Sequence, residues 1–245
     1  MVLYMPRGAW TSWTPDPKKL VHLVGPEGVA VHYPGTDRAL APLAEQGDRI
    51  AGLLEAERRD HVDVRGWTDI AYSAAIDQAG RVWDCRGWAW RPAANGSVDA
   101  NARYGAVTLL VGVGEQPTDA MIQAFRWWRR LLFLTRYPGA RAVVGHRDLI
   151  ATACPGDLVT DLIRRGVLSQ AWNTPTPLED EMATYVRPDD AHRPGDGILA
   201  VTPTGVYPVS GPQWAILRDQ QAATGQAISR DQWEALRAVA WPAPW

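Results

Sequence analysis

The sequence predicts an α/β fold for the first part of the chain, with a mixed central β-sheet flanked by helices. Two observations indicate this fold. Strand-like and helix-like segments alternate up to residue 171, and one of them, Ala106 to Val113, is an unbroken apolar run that suits a strand buried on both faces. The chain of 245 residues is 46% hydrophobic and 21% charged, which excludes a disordered or fibrous protein.

The other elements follow from periodicity and from the turn residues between them. Strands are predicted at Gly28 to His32 and Arg141 to Gly145, and a hairpin at Ile70 to Asp77 and Arg81 to Cys85. Helices are predicted at Gly47 to Asp63, from a cap at Thr118 and Asp119, and from a cap at Asp157 to Arg165. The helix after Asp119 carries one apolar row of Met121, Phe125, Trp128 and Leu132, and a second of Ala124, Trp127, Leu131 and Leu134.

Prolines divide the chain after the last of these helices. Pro175 and Pro177 precede an acidic run, so residues 172–182 are interpreted as an extended linker. We expect one large domain over residues 1–171 and a small α+β domain over residues 183–245. The small domain is predicted to hold a hairpin of Gly197 to Val201 and Gly205 to Val209, then two helices. Its four tryptophans are either core residues or exposed ligand contacts.

Charge and hydropathy exclude several classes of partner. A net charge of −2 at pH 7 argues against nucleic acid bound through bulk charge. No segment approaches the roughly 20 apolar residues of a membrane helix. The first ten residues lack an apolar run after Arg7, so we expect no secretory signal. Two cysteines are too few for a disulfide framework.

The segment from Val144 to Asp157 carries residues suited to metal chemistry. His146 leaves a predicted strand, and Cys154 precedes a Pro-Gly turn into a helix. Imidazole and thiolate are ligands that zinc prefers, but a catalytic zinc takes three protein ligands. His32 ends the first predicted strand, where α/β sheets present functional side chains. From spacing alone, a buried free cysteine and a hydrogen-bonded loop histidine remain open alternatives.

Five sequence blocks in order resemble a known family. They are Val31-His32, Trp67 to Trp83, Arg86 to Trp88, Asn101 to Val107 and the Gly-His-Arg-Asp…Thr-x-Cys-Pro-Gly block of residues 145–156. Together they are similar to the zinc-dependent N-acetylmuramoyl-L-alanine amidases, which share a fold with the peptidoglycan recognition proteins and include phage endolysins. The resemblance covers residues 28–165.

The resemblance implies a set of site residues. It implies Zn²⁺ held by His32, His146 and Cys154, with a water at the fourth position, and hydrolysis of the amide between N-acetylmuramic acid and L-alanine of the stem peptide. It matches Tyr72 to the family's catalytic tyrosine, although strand alternation also allows a core aromatic there. Thr152 stands where some phage members have a stabilising lysine, so it would supply a neutral donor instead.

Four neighbouring residues have other expected roles. Tyr33 follows the first ligand, where the family often has a small polar residue, and it is expected to reshape the substrate groove. Arg147 and Asp148 are expected to hold a loop or a ligand in place rather than to act in catalysis. Cys85 is expected to be a buried free thiol.

The resemblance also implies a biological setting. A phage endolysin would be a monomer that binds bacterial peptidoglycan, with the catalytic domain first and a wall-binding domain second. It would stay in the host cytoplasm until a holin releases it to the cell wall. A non-catalytic peptidoglycan-binding protein of the same fold is the main alternative, and a thiol hydrolase using Cys154 and His146 is another.

Overall fold

A six-stranded mixed β-sheet forms the centre of the first part of the chain. The computed structural model describes residues 2–44, 46–135 and 137–171, and four strands within residues 184–228. The chain divides into two units, Met1–Asn173 and Thr174–Trp245. The strands of the first unit are β1 (Leu3–Met5), β2 (Gly28–His32), β3 (Ala74–Ile76), β4 (Arg81–Asp84), β5 (Tyr104–Leu109) and β6 (Ala142–Gly145). Their order is β1-β4-β3-β5-β2-β6. The β3–β4 pair is antiparallel and the other pairs are parallel.

The two middle strands are buried along their whole length. Every residue of β2 and of β5 is buried, as expected for parallel strands covered on both faces. β5 begins before the predicted start at Ala106 and ends before the predicted end at Val113. Beyond the strand, the amide of Gly112 donates to the Glu115 carboxylate at 2.7 Å, within a turn rather than in the sheet.

Helices flank this sheet. They are α1 (Ala41–Ala44), α2 (Gly47–Arg59), α3 (Val98–Arg103), α4 (Asp119–Thr135) and α5 (Asp157–Arg164). The predicted helix from Gly47 to Asp63 is α2 followed by a wide π-turn, Asp60–Val64. Within the described residues, no helix has the length and apolar character required to cross a bilayer.

The core confirms the apolar rows that the sequence predicts. Ile50 and Leu54 of α2 join a buried cluster with Ala75 of β3 and Trp83 of β4. α4 contacts β3 and β4. Its buried side chains include Met121, Ala124, Phe125, Trp127, Trp128 and Leu132. The side chains of Leu131 and Leu134 lie outside the described part of the chain.

The segment before β2 is tied to the sheet by features that the sequence analysis missed. β1 pairs with β4 over three residues, too few for a period-2 pattern to stand out. Arg7 forms an ion pair of 2.7 Å with the buried carboxylate of Asp69. The indole of Trp10 donates to the carbonyl of Asp84 at 2.7 Å. Long-range contacts therefore hold this segment.

The cap predicted at Asp157 for α5 is wrong. Asp157 is the first residue of the helix, and the cap position is Gly156, whose φ is 84°. This left-handed conformation favours glycine, since it is costly for residues with a Cβ atom. The Asp157 carboxylate instead accepts from Arg147 at 2.8 Å. The aspartate therefore braces the preceding loop rather than capping the helix.

The short helix α3 depends on its capping serine. The hydroxyl of Ser97 accepts from the amide of Ala100 at 3.0 Å. Ser97→Ala removes this bond, so we expect the free energy of unfolding to fall by about 1 kcal/mol. Denaturant titration would measure the change, and Ser97→Thr should retain most of the stability. An unchanged midpoint for Ser97→Ala would contradict this prediction.

The second unit contains a four-stranded sheet in its described part. Its strands are β7 (Thr184–Pro188), β8 (Ile198–Thr202), β9 (Gly205–Val209) and β10 (Gln226–Ile228), in the order β10-β7-β8-β9. β8 and β9 are antiparallel and adjacent in sequence, which confirms the predicted hairpin. The linker at residues 172–182, the two predicted helices and the four tryptophans of this unit lie outside the described residues.

Candidate metal centre

Three side chains meet at the carboxyl ends of two neighbouring parallel strands. His32 is the last residue of β2, and His146 directly follows β6. Cys154 reaches them from the loop before α5. One donor atom from each of the three residues lies within 4.8 Å of the other two. These residues, all expected from the sequence, could therefore hold a metal ion.

The ring of His32 presents one nitrogen to this cluster. Its Nδ1 lies 3.7 Å from the Cys154 Sγ, and its Nε2 lies 2.9 Å from the Oδ1 of Asn95. Burial, aided by the nearby His146, lowers the pKa of His32 to about 3. The imidazole is therefore neutral at physiological pH, which is the form that ligates metals.

His146 provides a test of whether a metal fits here. Both of its ring nitrogens are buried and lack a hydrogen-bond partner among the described residues. Burial also lowers its pKa below the usual value, so the ring is neutral and one nitrogen has an unpaired lone pair. Leaving a buried polar atom unpaired costs about 1–3 kcal/mol. A metal ion on that lone pair would offset this cost, so the residues present fit such an ion.

The thiol of Cys154 completes the donor set. Burial raises the pKa of Cys154 to about 11, so the sulfur is protonated at neutral pH when no cation is near it. A bound divalent cation would favour the thiolate. Two imidazoles and one thiolate are a donor set suited to zinc, with a fourth position left for a reactant.

Tyr33 lies beside the donor set without joining it. Its carbonyl oxygen is 3.9 Å from the Cys154 Sγ. Its ring lies against the turn at Gly156, where an added Cβ would come within 3.2 Å of the ring. Tyr33 therefore packs on the loop that carries Cys154.

Hydrogen bonds to the backbone shape the loop between the second and third donors. The Asp148 carboxylate accepts from the amide of Gly145 at 2.7 Å. The Arg147 amide donates to the Cys154 carbonyl at 2.9 Å, and the Thr152 hydroxyl accepts from the Cys154 amide at 3.2 Å. Arg147 and Asp148 thus hold the loop, in agreement with the expectation from the sequence.

Tyr72 lies between the buried core and the donor set. It precedes β3 rather than lying in it, so the strand alternation expected for Ile70 to Asp77 does not apply to it. Its ring centroid is 5.4 Å from that of His32 and 6.1 Å from that of His61. Burial raises its pKa well above the usual value of 10.0, so the phenol is neutral and keeps its proton.

Glu57 on α2 is a partly buried carboxyl near Tyr72 whose ionisation should make stability depend on pH. Burial and the neighbouring Asp60 raise its pKa from 4.5 to about 7. Between pH 4.5 and about 7, Glu57 therefore keeps its proton in the folded chain but loses it in the unfolded chain. The free energy of unfolding falls as the pH rises through this range. We expect Glu57→Gln to raise Tm by about 2–4 °C at alkaline pH and by less at acidic pH.

Glu55, on the same helix, is the matched control for this prediction. The hydrogen bond from Arg58 lowers the pKa of Glu55 to about 2. Its charged form stabilises the fold above the unfolded value of 4.5, and that contribution is lost as the pH falls toward 2. Glu55→Gln should therefore lower Tm at alkaline pH. In thermal melts at about pH 5 and about pH 8, the two variants should change Tm in opposite directions. Changes in the same direction would contradict this explanation.

Asn95 is a neighbour of the site that the sequence patterns do not predict. It is fully buried and bonds to His32, but its Asn-Gly sequence suggests only a turn. Two other histidines stay outside the donor set. His22 stacks on Trp90 at 4.3 Å, and His61 accepts a hydrogen bond from the amide of Ala71 at 3.2 Å.

Comparison with curated proteins finds relatives that match about half of this chain. A human N-acetylmuramoyl-L-alanine amidase is 34% identical over 131 residues, which are 51% of this chain and 22% of the human protein. A protein of the same name from Sus scrofa is 34% identical over 121 residues, which are 46% and 19% of the two chains. The chain thus spans about a fifth of the length of these relatives. No family model matches the chain.

Comparison with solved structures identifies the fold. Drosophila PGRP-LB, a peptidoglycan recognition protein, superposes with a TM-score of 0.60 at 22% identity, covering 71% of this chain and 100% of that chain. A PGRP-LB mutant in complex with tracheal cytotoxin gives 0.57 at 23% identity, covering 65% and 92%. The mixed sheet and its flanking helices therefore form the fold of the peptidoglycan recognition proteins.

Proposed function

We propose that the protein is a zinc-dependent N-acetylmuramoyl-L-alanine amidase. It would hydrolyse the amide that joins N-acetylmuramic acid to L-alanine of the peptidoglycan stem peptide. The observation that carries the proposal is the convergence of His32, His146 and Cys154, whose donor atoms lie within 4.8 Å of one another. The unpaired nitrogens of His146 support a metal ion as the occupant of this cluster.

The comparisons support peptidoglycan as the substrate class. The curated relatives that match about half of this chain are named N-acetylmuramoyl-L-alanine amidases. Solved structures of the same fold include peptidoglycan recognition proteins, among them a mutant in complex with tracheal cytotoxin. Donors that suit a catalytic metal, on a fold found in proteins that recognise peptidoglycan, favour a wall hydrolase over a binding protein.

The donor residues prepare the reaction through their protonation states. Zinc bound here would supply Lewis acidity that activates a water and polarises the scissile carbonyl. The neutral rings of His32 and His146 present lone pairs to it. Cys154 must lose its proton on binding, so metal uptake should release a proton and strengthen as the pH rises.

Two hydroxyl groups complete the proposed catalytic set. Tyr72 keeps its phenolic proton and lies beside His32, so it can donate a hydrogen bond to the water or to the oxyanion that develops on the carbonyl. Thr152 accepts from the amide of Cys154, and its hydroxyl retains one hydrogen to donate. Thr152 therefore orients the loop and offers a neutral donor.

The proposal includes an endolysin role, which the resemblance of the sequence blocks to an amidase family that includes phage endolysins supports. In this role the chain acts as a monomer, accumulates in the host cytoplasm, reaches the wall with the help of a holin, and binds it through residues 183–245. Co-expression with a holin in a susceptible bacterium should cause lysis, and His146→Ala should abolish it. Lysis that persists with His146→Ala would contradict this role.

Product analysis tests the proposed activity. Purified full-length protein would be incubated with isolated peptidoglycan, and the soluble fragments would be analysed by mass spectrometry. We expect stem peptides with a free L-alanine amino terminus and glycan strands with intact lactyl groups. His146→Ala should release neither. Wall binding without release of peptide would instead favour the non-catalytic peptidoglycan-binding protein.

A further inference from the structure

The side chain of Asn95 connects the metal centre to the start of β5. Its side-chain nitrogen Nδ2 donates to the carbonyl of Ala100 at 3.2 Å and to the carbonyl of Tyr104 at 3.0 Å. Its Oδ1 lies 2.9 Å from the Nε2 of His32. The residue is 0% exposed, so water does not compete for these bonds. Every polar atom of this amide therefore has a protein partner.

These bonds determine which way the amide faces. An amide nitrogen has two hydrogens, and both are used by carbonyl oxygens, which can only accept. The flipped amide would place its oxygen against those two carbonyls and leave them without a donor. The network therefore assigns Oδ1 to the side that faces His32.

The orientation of the amide fixes the tautomer of His32. Because Asn95 Oδ1 accepts, the Nε2 of His32 must carry the hydrogen. The lone pair of the neutral ring is then on Nδ1, the nitrogen that lies 3.7 Å from the Sγ of Cys154. The same bond holds the ring plane, so the lone pair points at the other donors.

We propose that Asn95 is a positioning residue of the metal centre, which selects the His32 tautomer that can ligate and holds its ring in place. The inference deepens the proposed function, on which it rests for the identity of the metal. The loop itself is anchored independently, because the backbone amide of Asn95 donates to the side chain of Asn101 at 2.9 Å. Removing the side chain should therefore leave the loop in place and release the ring.

The test compares two substitutions at this position in the full-length protein. Asn95→Leu and Asn95→Asp both lose the amide donors, but only the aspartate keeps an acceptor for His32. We expect Asn95→Leu to weaken zinc binding about 10- to 100-fold, since loss of such a partner typically has this effect. Asn95→Asp should bind zinc more tightly than Asn95→Leu, because a carboxylate is a common partner of ligating histidines.

Two further measurements separate positioning from a general structural role. Ser97→Ala loosens the same segment without touching His32, and it should leave the zinc Kd unchanged. Nitrogen NMR of the metal-free chain should show His32 as the single Nε2–H tautomer in wild type and as a mixture in Asn95→Leu. This measurement needs neither zinc nor activity.

The outcomes distinguish this proposal from the proposed function. Equal zinc Kd values for wild type and Asn95→Leu, or an Nδ1–H tautomer in the metal-free wild type, would overturn the role of Asn95. A weaker Kd for Ser97→Ala that matches that of Asn95→Leu would also overturn it. If Asn95→Leu alone loses zinc affinity but wild type releases no stem peptide, the positioning role is supported and the amidase proposal is contradicted.

Discussion

Replacing Cys154 by serine is expected to abolish hydrolysis of peptidoglycan and to remove tight zinc binding. The serine hydroxyl is similar in size, but it stays protonated near neutral pH and is a poor zinc ligand. Because a catalytic metal contributes several kcal/mol of transition-state stabilisation, we expect the rate to fall about a thousandfold or more. Release of stem peptide and zinc content of the purified variant would both be measured.

Cys85 is the matched control for this substitution. It is buried in the core, and its thiol donates to the carbonyl of Trp83 at 3.6 Å, a bond that a serine hydroxyl can replace. Cys85→Ser should keep one zinc per chain and the wild-type rate per folded molecule. Full activity in Cys154→Ser would contradict the proposed metal centre. Inhibition by a thiol reagent but not by a chelator would favour the thiol hydrolase.

Replacing Tyr72 by phenylalanine is expected to lower kcat about 100- to 1000-fold, the cost of losing one donor to a developing oxyanion. Phenylalanine keeps the ring that lies 5.4 Å from His32, so the packing should not change. The zinc Kd and KM should stay near their wild-type values, because the hydroxyl is proposed to act in the transition state rather than on the metal or the bound substrate.

Tyr104 provides the matched control, since Tyr104→Phe removes a hydroxyl from a different part of the fold. The phenol of Tyr104 donates to Glu27 at 3.0 Å. This variant should keep the wild-type kcat. An unchanged kcat in Tyr72→Phe would show that Tyr72 acts only as a packing residue, the alternative that the sequence leaves open.

Much of the fold could be predicted because its main elements carry local patterns. The strand at Gly28 to His32 was predicted with its observed bounds, and the helix that begins at Gly47 was found from its periodicity. The predicted end of β5 at Val113 is wrong because apolar residues continue past the end of the strand. The turn beyond it is held by Glu115, which also accepts hydrogen bonds from the amides of the distant residues Leu40 and Ala41. The short strand β1 carries no pattern long enough to detect.

The candidate site was predictable only in part. Spacing indicated His146 and Cys154, and the end of a predicted strand singled out His32. The resemblance to a family was needed to join the three residues in one ligand set. Their convergence depends on the parallel pairing of β2 with β6, a contact between distant parts of the chain. Asn95 was missed for the same reason, because its role comes from a hydrogen bond to a residue 63 positions away in sequence.

Zinc held by His32, His146 and Cys154 is proposed to let this chain cut the amide between N-acetylmuramic acid and L-alanine. The most direct measurement is the hydrolysis rate of a synthetic muramoyl-peptide by metal-free, full-length protein as zinc is added. We expect almost no hydrolysis without zinc and a rate that rises until one zinc is bound per chain, then stays constant. Full hydrolysis in excess chelator, or none at saturating zinc, would contradict this proposal.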